Sequence, residues 1–152
     1  YMRKHEKIIR RILSKSGLCL NKVEDVDHII NHTKHLISPD LVGEAILTAG
    51  AAINDILDYY CGVIAIGPFG CMPNRLAEAV VTGEMNMEGK IRTGVKTGKI
   101  ERLAQKIGDL PFLAIETDGN RFPQIITAKV EAFLLQAGRV HEEMKKAEKF
   151  HA

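Results

Sequence analysis

Apolar positions in the first third of the chain recur at three- and four-residue steps, the spacing of a helix with one buried face. In Met2 to Ser16, Ile8, Ile9, Ile12 and Leu13 form such a stripe, which predicts a helix packed on a core and closed by Gly17. A second helix opens at Asn21 or Lys22 and carries Val23, Val26, Ile29, Ile30, Leu36 and Ile37 on one face. Ser38-Pro39-Asp40 ends it and starts a third, with Ser38 as cap and Pro39 or Asp40 in the first turn. That third helix is read through Tyr60 along Val42, Ala45, Ile46, Ala49, Ile53, Ile56 and Leu57. Its Ala49-Gly50-Ala51-Ala52 run is narrow enough for another element to approach closely.

The period then changes. Gly62-Val63-Ile64-Ala65-Ile66 and Pro111-Phe112-Leu113-Ala114-Ile115 are short apolar runs between glycine and proline signals, the pattern of strands buried on both faces. Between them fall a helix from Asn74 to about Val81 and a short one from Ile100 to Ile107, stopped by Gly108. Residues 82–98 hold four glycines with little periodicity and read as a long mobile loop. Pro123 to about Lys149 is a long helix with Ile126, Val130, Phe133, Ala137, Val140 and Met144 inward. The predicted fold is α/β: a Rossmann- or flavodoxin-like βαβα unit with a small parallel sheet, preceded by a helical N-terminal half.

Composition narrows the class without changing the fold. A length of 152 residues suits one domain, 1–152, and 45% hydrophobic with 26% charged residues is ordinary globular usage. Two strands make a meagre sheet and Tyr1 precedes Met2, so the expectation is a piece of a longer protein, which the resemblance given below would make its C-terminal part. No apolar run is long enough for a membrane span, no signal-peptide core follows the N-terminus, and three cysteines make no disulfide framework. The expected setting is the reducing cytoplasm, with no membrane partner. Net charge is +2; Arg3, Lys4, Lys7, Arg10, Arg11 and Lys15 against Glu6 put +5 on the first helix and leave about −3 elsewhere. Without stacking aromatics in that helix, the basic face reads as solvated and no nucleic-acid partner is expected.

In a parallel sheet the loops leaving neighbouring strands open on one edge, where ligands of open α/β sheets bind. Here these loops are Gly67-Pro68-Phe69-Gly70-Cys71-Met72-Pro73 and Glu116-Thr117-Asp118-Gly119-Asn120-Arg121-Phe122-Pro123-Gln124. Cys71 stands at the start of a helix, where free N–H groups and the helix dipole favour a thiolate, a soft-metal ligand or a nucleophile. The plainer reading is a buried thiol in a tight turn. One thiolate does not hold a cluster. Cys61 falls at the other end of the strand, roughly 15 Å away at strand rise, and Cys19 in an interhelical turn; both read as structural. Glu116 and Asp118 are either ligands for a metal, phosphate or hydroxyl, or parts of a turn in which Asn120 caps the long helix. His28, His32 and His35 have zinc-like spacing but lie opposite the apolar face and read as solvent-facing. Gly94 to Ile100 fails as a phosphate-binding loop: one residue is missing and Ile100 replaces the hydroxyl.

Three segments, Ser38 to Ala45, Ile66 to Ala79 and Ile115 to Gln124, taken with Glu131-Ala132-Phe133, Gln136-Ala137 and Arg139-Val140-His141, resemble a known family. It is the carboxyl-terminal part of the acyl-CoA dehydratase activase-related proteins (CoA-substrate-specific enzyme activases). In these, ATPase activator domains are joined to a region similar to the cluster-carrying subunits of 2-hydroxyacyl-CoA dehydratase and benzoyl-CoA reductase. The resemblance spans roughly residues 36–145. It implies an ATP-driven, low-potential electron-transfer protein in which Cys71 is one cysteine ligand of a [4Fe–4S]-type iron–sulfur cluster. Gly67, Pro68, Phe69, Gly70, Glu116 and Asp118 would line the cofactor cleft. The remaining ligands would come from upstream ATPase, activator and cluster-sharing domains, and acyl-CoA would be a candidate substrate. Arg121 stands where the family pattern has a smaller residue or proline, and Gly138 and Val140 also depart from it. The rival expectation is a redox-inert scaffold whose first or last helix docks a partner.

Overall fold

In a computed structural model of the chain, the described residues are 2–18, 25–93, 98–119 and 123–149. In chain order they form α1 (Met2–Leu13) with a 3-10 turn (Ser14–Ser16), α2 (Val26–Thr33), α3 (Ala45–Asn54), β1 (Val63–Pro68) and α4 (Met72–Glu84). There follow α5 (Met87–Arg92), α6 (Gly98–Ala104), β2 (Phe112–Thr117) and α7 (Pro123–Lys149). The two strands pair in parallel, Val63 opposite Phe112 through Pro68 opposite Thr117, with α4, α5 and α6 in the connection. The chain is thus a mixed α/β structure whose described residues hold one small parallel sheet.

Local chemistry explains most element boundaries. Gly17 takes φ +73° and donates its N–H to Ser14 O, which stops the first helical segment at the expected residue. Asp25 caps α2 by accepting from the Asp27 and His28 amides. The predicted opening of this helix at Asn21 or Lys22, like Cys19, lies outside the described residues. Ser38 accepts from the Asp40 amide, but the turn it makes does not start a helix. α3 starts instead after Glu44, which holds the N-cap position without a side-chain capping bond, because Gly43 at φ +119° breaks the helical path. Ile56 and Leu57, read as helix, lie beyond α3 in a turn where Leu57 adopts φ +68° and is fully buried.

Two expectations fail on burial. No residue of α1 is buried, and Ile8, Ile9, Ile12 and Leu13, expected to face a core, are exposed at 57%, 54%, 61% and 49%. The strands are not covered on both faces either. Alternation puts Val63 and Ala65 with Phe112 and Ala114 on the face toward α4, and Ile64 and Ile66 with Leu113 and Ile115 on the other. Ile64 and Ile66 keep 40% and 68% of their surface in solvent, so that face of β1 is largely uncovered.

The core is built by α3, α4, α5, α6 and the inner face of α7, with Ala49, Ile53, Ile56, Leu57, Val81, Ile100 and Leu103 nearly or fully buried. The close approach expected at the narrow run occurs against α2: a Cβ on Gly50 would overlap Ile29 Cγ2 and Thr33 Oγ1. The loop expected over 82–98 is largely replaced by helix. Asn86 caps α5 by accepting from the Gly89 amide, and Gly89 is forced because a Cβ there would meet the Glu84 carbonyl. Residues 94–97 lie outside the described residues.

The structural reason for α5 is Lys90. Its side chain is completely buried, and its ammonium donates to Asn54 O at 2.6 Å and to Asp58 Oδ2 at 2.8 Å, with Ile53 O at 3.5 Å. It therefore satisfies the last carbonyls of α3 and complements that helix's negative end. Lys90→Met keeps the stem and removes the charge, so it should lower unfolding free energy by about 2–4 kcal/mol, read from urea denaturation. Gly50→Ala should cost about 1–3 kcal/mol in the same assay, because overlap with Ile29 and Thr33 exceeds the helix-propensity gain.

Candidate functional site

Both candidate loops leave the carboxyl ends of the parallel strands, so they lie on one edge, as the βαβα reading requires. The ladder runs to its end: Phe69 donates its amide to Thr117 O at 3.0 Å, tying the loops directly. Cys71 N donates to Pro68 O at 3.2 Å, closing a four-residue turn whose third residue, Gly70, has φ +75°. A turn of that form admits glycine there at no steric cost. Gly67 is needed for a different reason. It is buried, and a Cβ on it would overlap the Asn74 amide, so α4 starts against the strand's backbone.

Cys71 is the N-cap residue of α4, extended at φ −66° and ψ 110°, and its side chain makes no capping bond. Its carbonyl accepts from the Arg75 amide. Cys71 is a free cysteine and the residue is partly buried. Cys61 precedes β1 and Cys71 follows it, so they sit at opposite ends of the strand. Phe69 and Met72, flanking the thiol, are exposed at 71% and 79%.

The feature that sequence reasoning missed is Arg75. Its Nε donates to Glu116 Oε1 and its Nη2 to Glu116 Oε2, both at 2.7 Å, a two-pronged fork joining the first turn of α4 to the end of β2. The same guanidinium lies 5.5 Å from the Phe69 ring centroid. Hydrogen bonding and then the charge of Glu116 hold the Arg75 pKa above its ordinary value. Glu116 is therefore engaged by protein, and acts as a strut between the loops. The signal in the sequence was a cation one helical turn after Cys71, on an element that starts at the strand edge.

Phe69, Arg75, Glu78, Ala114, Glu116 and Lys129 line a groove of about 630 Å³ between α4, β2 and α7. Cys71 is not among its lining residues. Thr117 Oγ1 accepts from the Gly119 amide at 3.1 Å, and Gly119 takes φ +91°, so Asp118 sits exposed in a tight turn. Asn120 and Arg121, the proposed cap and the departure from the family pattern, lie outside the described residues. Pro73 is the second residue of α4, and a Cβ on Gly43 would touch it. The segment from Ser38 to Ala45, the Cys71 loop and the Glu116 turn thus meet, though 115 and 38 are far apart in sequence.

Among the described residues no group of three or more His, Cys, Asp or Glu side chains is arranged to hold a metal ion. His28 and His35 are exposed, and His32 turns its Nδ1 to the His28 carbonyl at 2.8 Å. A complete iron–sulfur cluster does not fit these residues; the donor set they offer is one thiol. No helix among the described residues is long and apolar enough to cross a membrane. Comparison with protein families, with curated proteins and with solved structures finds no match.

The Arg75 fork predicts a local effect. Arg75→Ala should leave the fold intact but speed hydrogen exchange at the Phe69 amide, whose bond to Thr117 it braces; unchanged exchange would show the loops to be held by the ladder alone.

Proposed function

We propose that this chain is a Rossmann- or flavodoxin-like module of an ATP-driven CoA-enzyme activase or dehydratase-type iron–sulfur protein of the cytoplasm. In this reading Cys71 supplies one thiolate to a [4Fe–4S]-type cluster whose other ligands come from neighbouring domains. ATP hydrolysis occurs elsewhere in that assembly. When bound, such a cluster supplies single-electron transfer at low potential. The contribution of this chain is positional. The Pro68–Cys71 turn, the Gly67–Asn74 contact and the Arg75–Glu116 fork stiffen the loop that carries the thiol. Asp118 and the exposed Phe69 shape the surface around it.

The observation that carries the reading is the free, partly buried Cys71, whose side chain makes no capping bond, at the ligand edge of a parallel sheet. The resemblance of the surrounding loops names the chemistry. A single thiolate is compatible with a four-cysteine cluster where other domains supply the remaining ligands.

A second reading is favoured by α1. Five lysine and arginine side chains line one side of this helix and an exposed apolar stripe the other, an arrangement suited to a redox-inert docking module. One experiment separates the two. The natural protein, carrying the domains proposed to share the cluster, is reconstituted anaerobically with iron and sulfide, as wild type and as Cys71→Ser. Loss or alteration of the cluster's EPR signal and visible absorption is expected in the variant. An unchanged signal rejects Cys71 as ligand and leaves the docking reading.

A further inference from the structure

The free edge of β1 is a second surface with its own chemistry, independent of the cluster reading. Val63 donates to Pro111 O and Phe69 to Thr117 O, so the odd-numbered residues of β1 bond to β2. The N–H and C=O groups of Ile64 and Ile66 therefore point the other way, and no other strand among the described residues pairs with them. Natural sheet edges are guarded by lysine, proline, bulges or a covering element. Between Val63 and Gly67 this edge has no charged residue and no proline; only Pro68 ends it.

Beside the edge runs a groove of about 400 Å³, walled by Thr48, Ala51 and Ala52 of α3, by Ala77 and Val81 of α4, and by Tyr60. Small side chains on both helices leave the space where a neighbouring strand's inward residues would sit. We propose that this edge and groove receive an extended segment of a partner protein, which adds a third strand to the sheet by β-augmentation. Two features define the occupant. Its backbone must meet the donors and acceptors of Ile64 and Ile66. Its alternate side chains must be small or β-branched and apolar, to lie against Ala51, Ala52, Ala77 and Val81.

A second copy of this chain does not suit the site. In a second copy the inward residue of β1, Val63, already packs against that copy's own core. The fitting occupant is a strand whose inner face is bare.

The test uses isotope-labelled chain and a synthetic peptide of alternating threonine and valine with lysine at each end, followed by NMR. Saturating peptide should slow exchange of the Ile64 and Ile66 amides by about tenfold or more and shift the Ala51 and Ala77 methyl signals. A peptide N-methylated on one edge should do neither. Ile64→Pro, which removes the free donor but no bond to β2, should abolish the Ile66 protection and the methyl shifts, and Ile64→Thr, which keeps that donor, should retain them. Amides that stay fast at saturation, or binding that survives Ile64→Pro, would overturn the proposal. So would slow Ile64 and Ile66 amides in a dimer of the chain alone, which would make the second copy the occupant.

Discussion

A single buried ammonium organises this molecule. Lys90 enters the core from α5, where no solvent reaches it, and ends on the terminal carbonyls of α3 and the carboxylate of Asp58. A charge so placed is tolerated only when its donors are met, and here a helix end and a carboxylate meet them together. The consequence is geometric. The chain must turn sharply after α3, with Leu57 in a left-handed conformation that costs about 1–2 kcal/mol, and it emerges as β1. The strand that carries the Cys71 loop is therefore aimed by a lysine nineteen residues beyond it.

The site edge depends on a second constraint, the parallel register. Only parallel strands bring the Cys71 loop and the Glu116 turn to one side, and the bond from Phe69 to Thr117 continues the ladder past the last strand residues. The Arg75–Glu116 fork then converts a carboxylate with ligand chemistry into a brace. This changes what the edge can do. Its free nucleophilic or ligating group is a thiol, and the acidic residue beside it sets position and leaves coordination to others.

The molecule also presents surfaces that its own core does not use. The apolar stripe of α1, the outer sheet face at Ile64 and Ile66, and the open edge of β1 all face solvent. With only two strands paired among the described residues, the outer edge of β1 keeps backbone donors and acceptors that no strand meets. Shared cluster ligation and strand addition make the same demand: both need a neighbour at the carboxyl edge or beside β1.

The sequence by itself determined the local elements. Gly17 ended the first helical segment, the two glycine- and proline-bounded apolar runs became strands, and the stripe from Pro123 to Lys149 became the long helix. These signals depend on near neighbours and need nothing distant. What only the tertiary structure decided was which faces would be covered and where weak periodicity would still fold. The stripe on α1 has the same pattern as a buried one, because periodicity records a face and not its partner. The segment from Met87 to Arg92 looked like loop because its stabilising contact is a lysine meeting carbonyls more than thirty residues earlier. The role of Glu116 stayed hidden for the same reason: its partner, Arg75, is forty-one residues away along the chain, and parallel pairing alone brings them into contact.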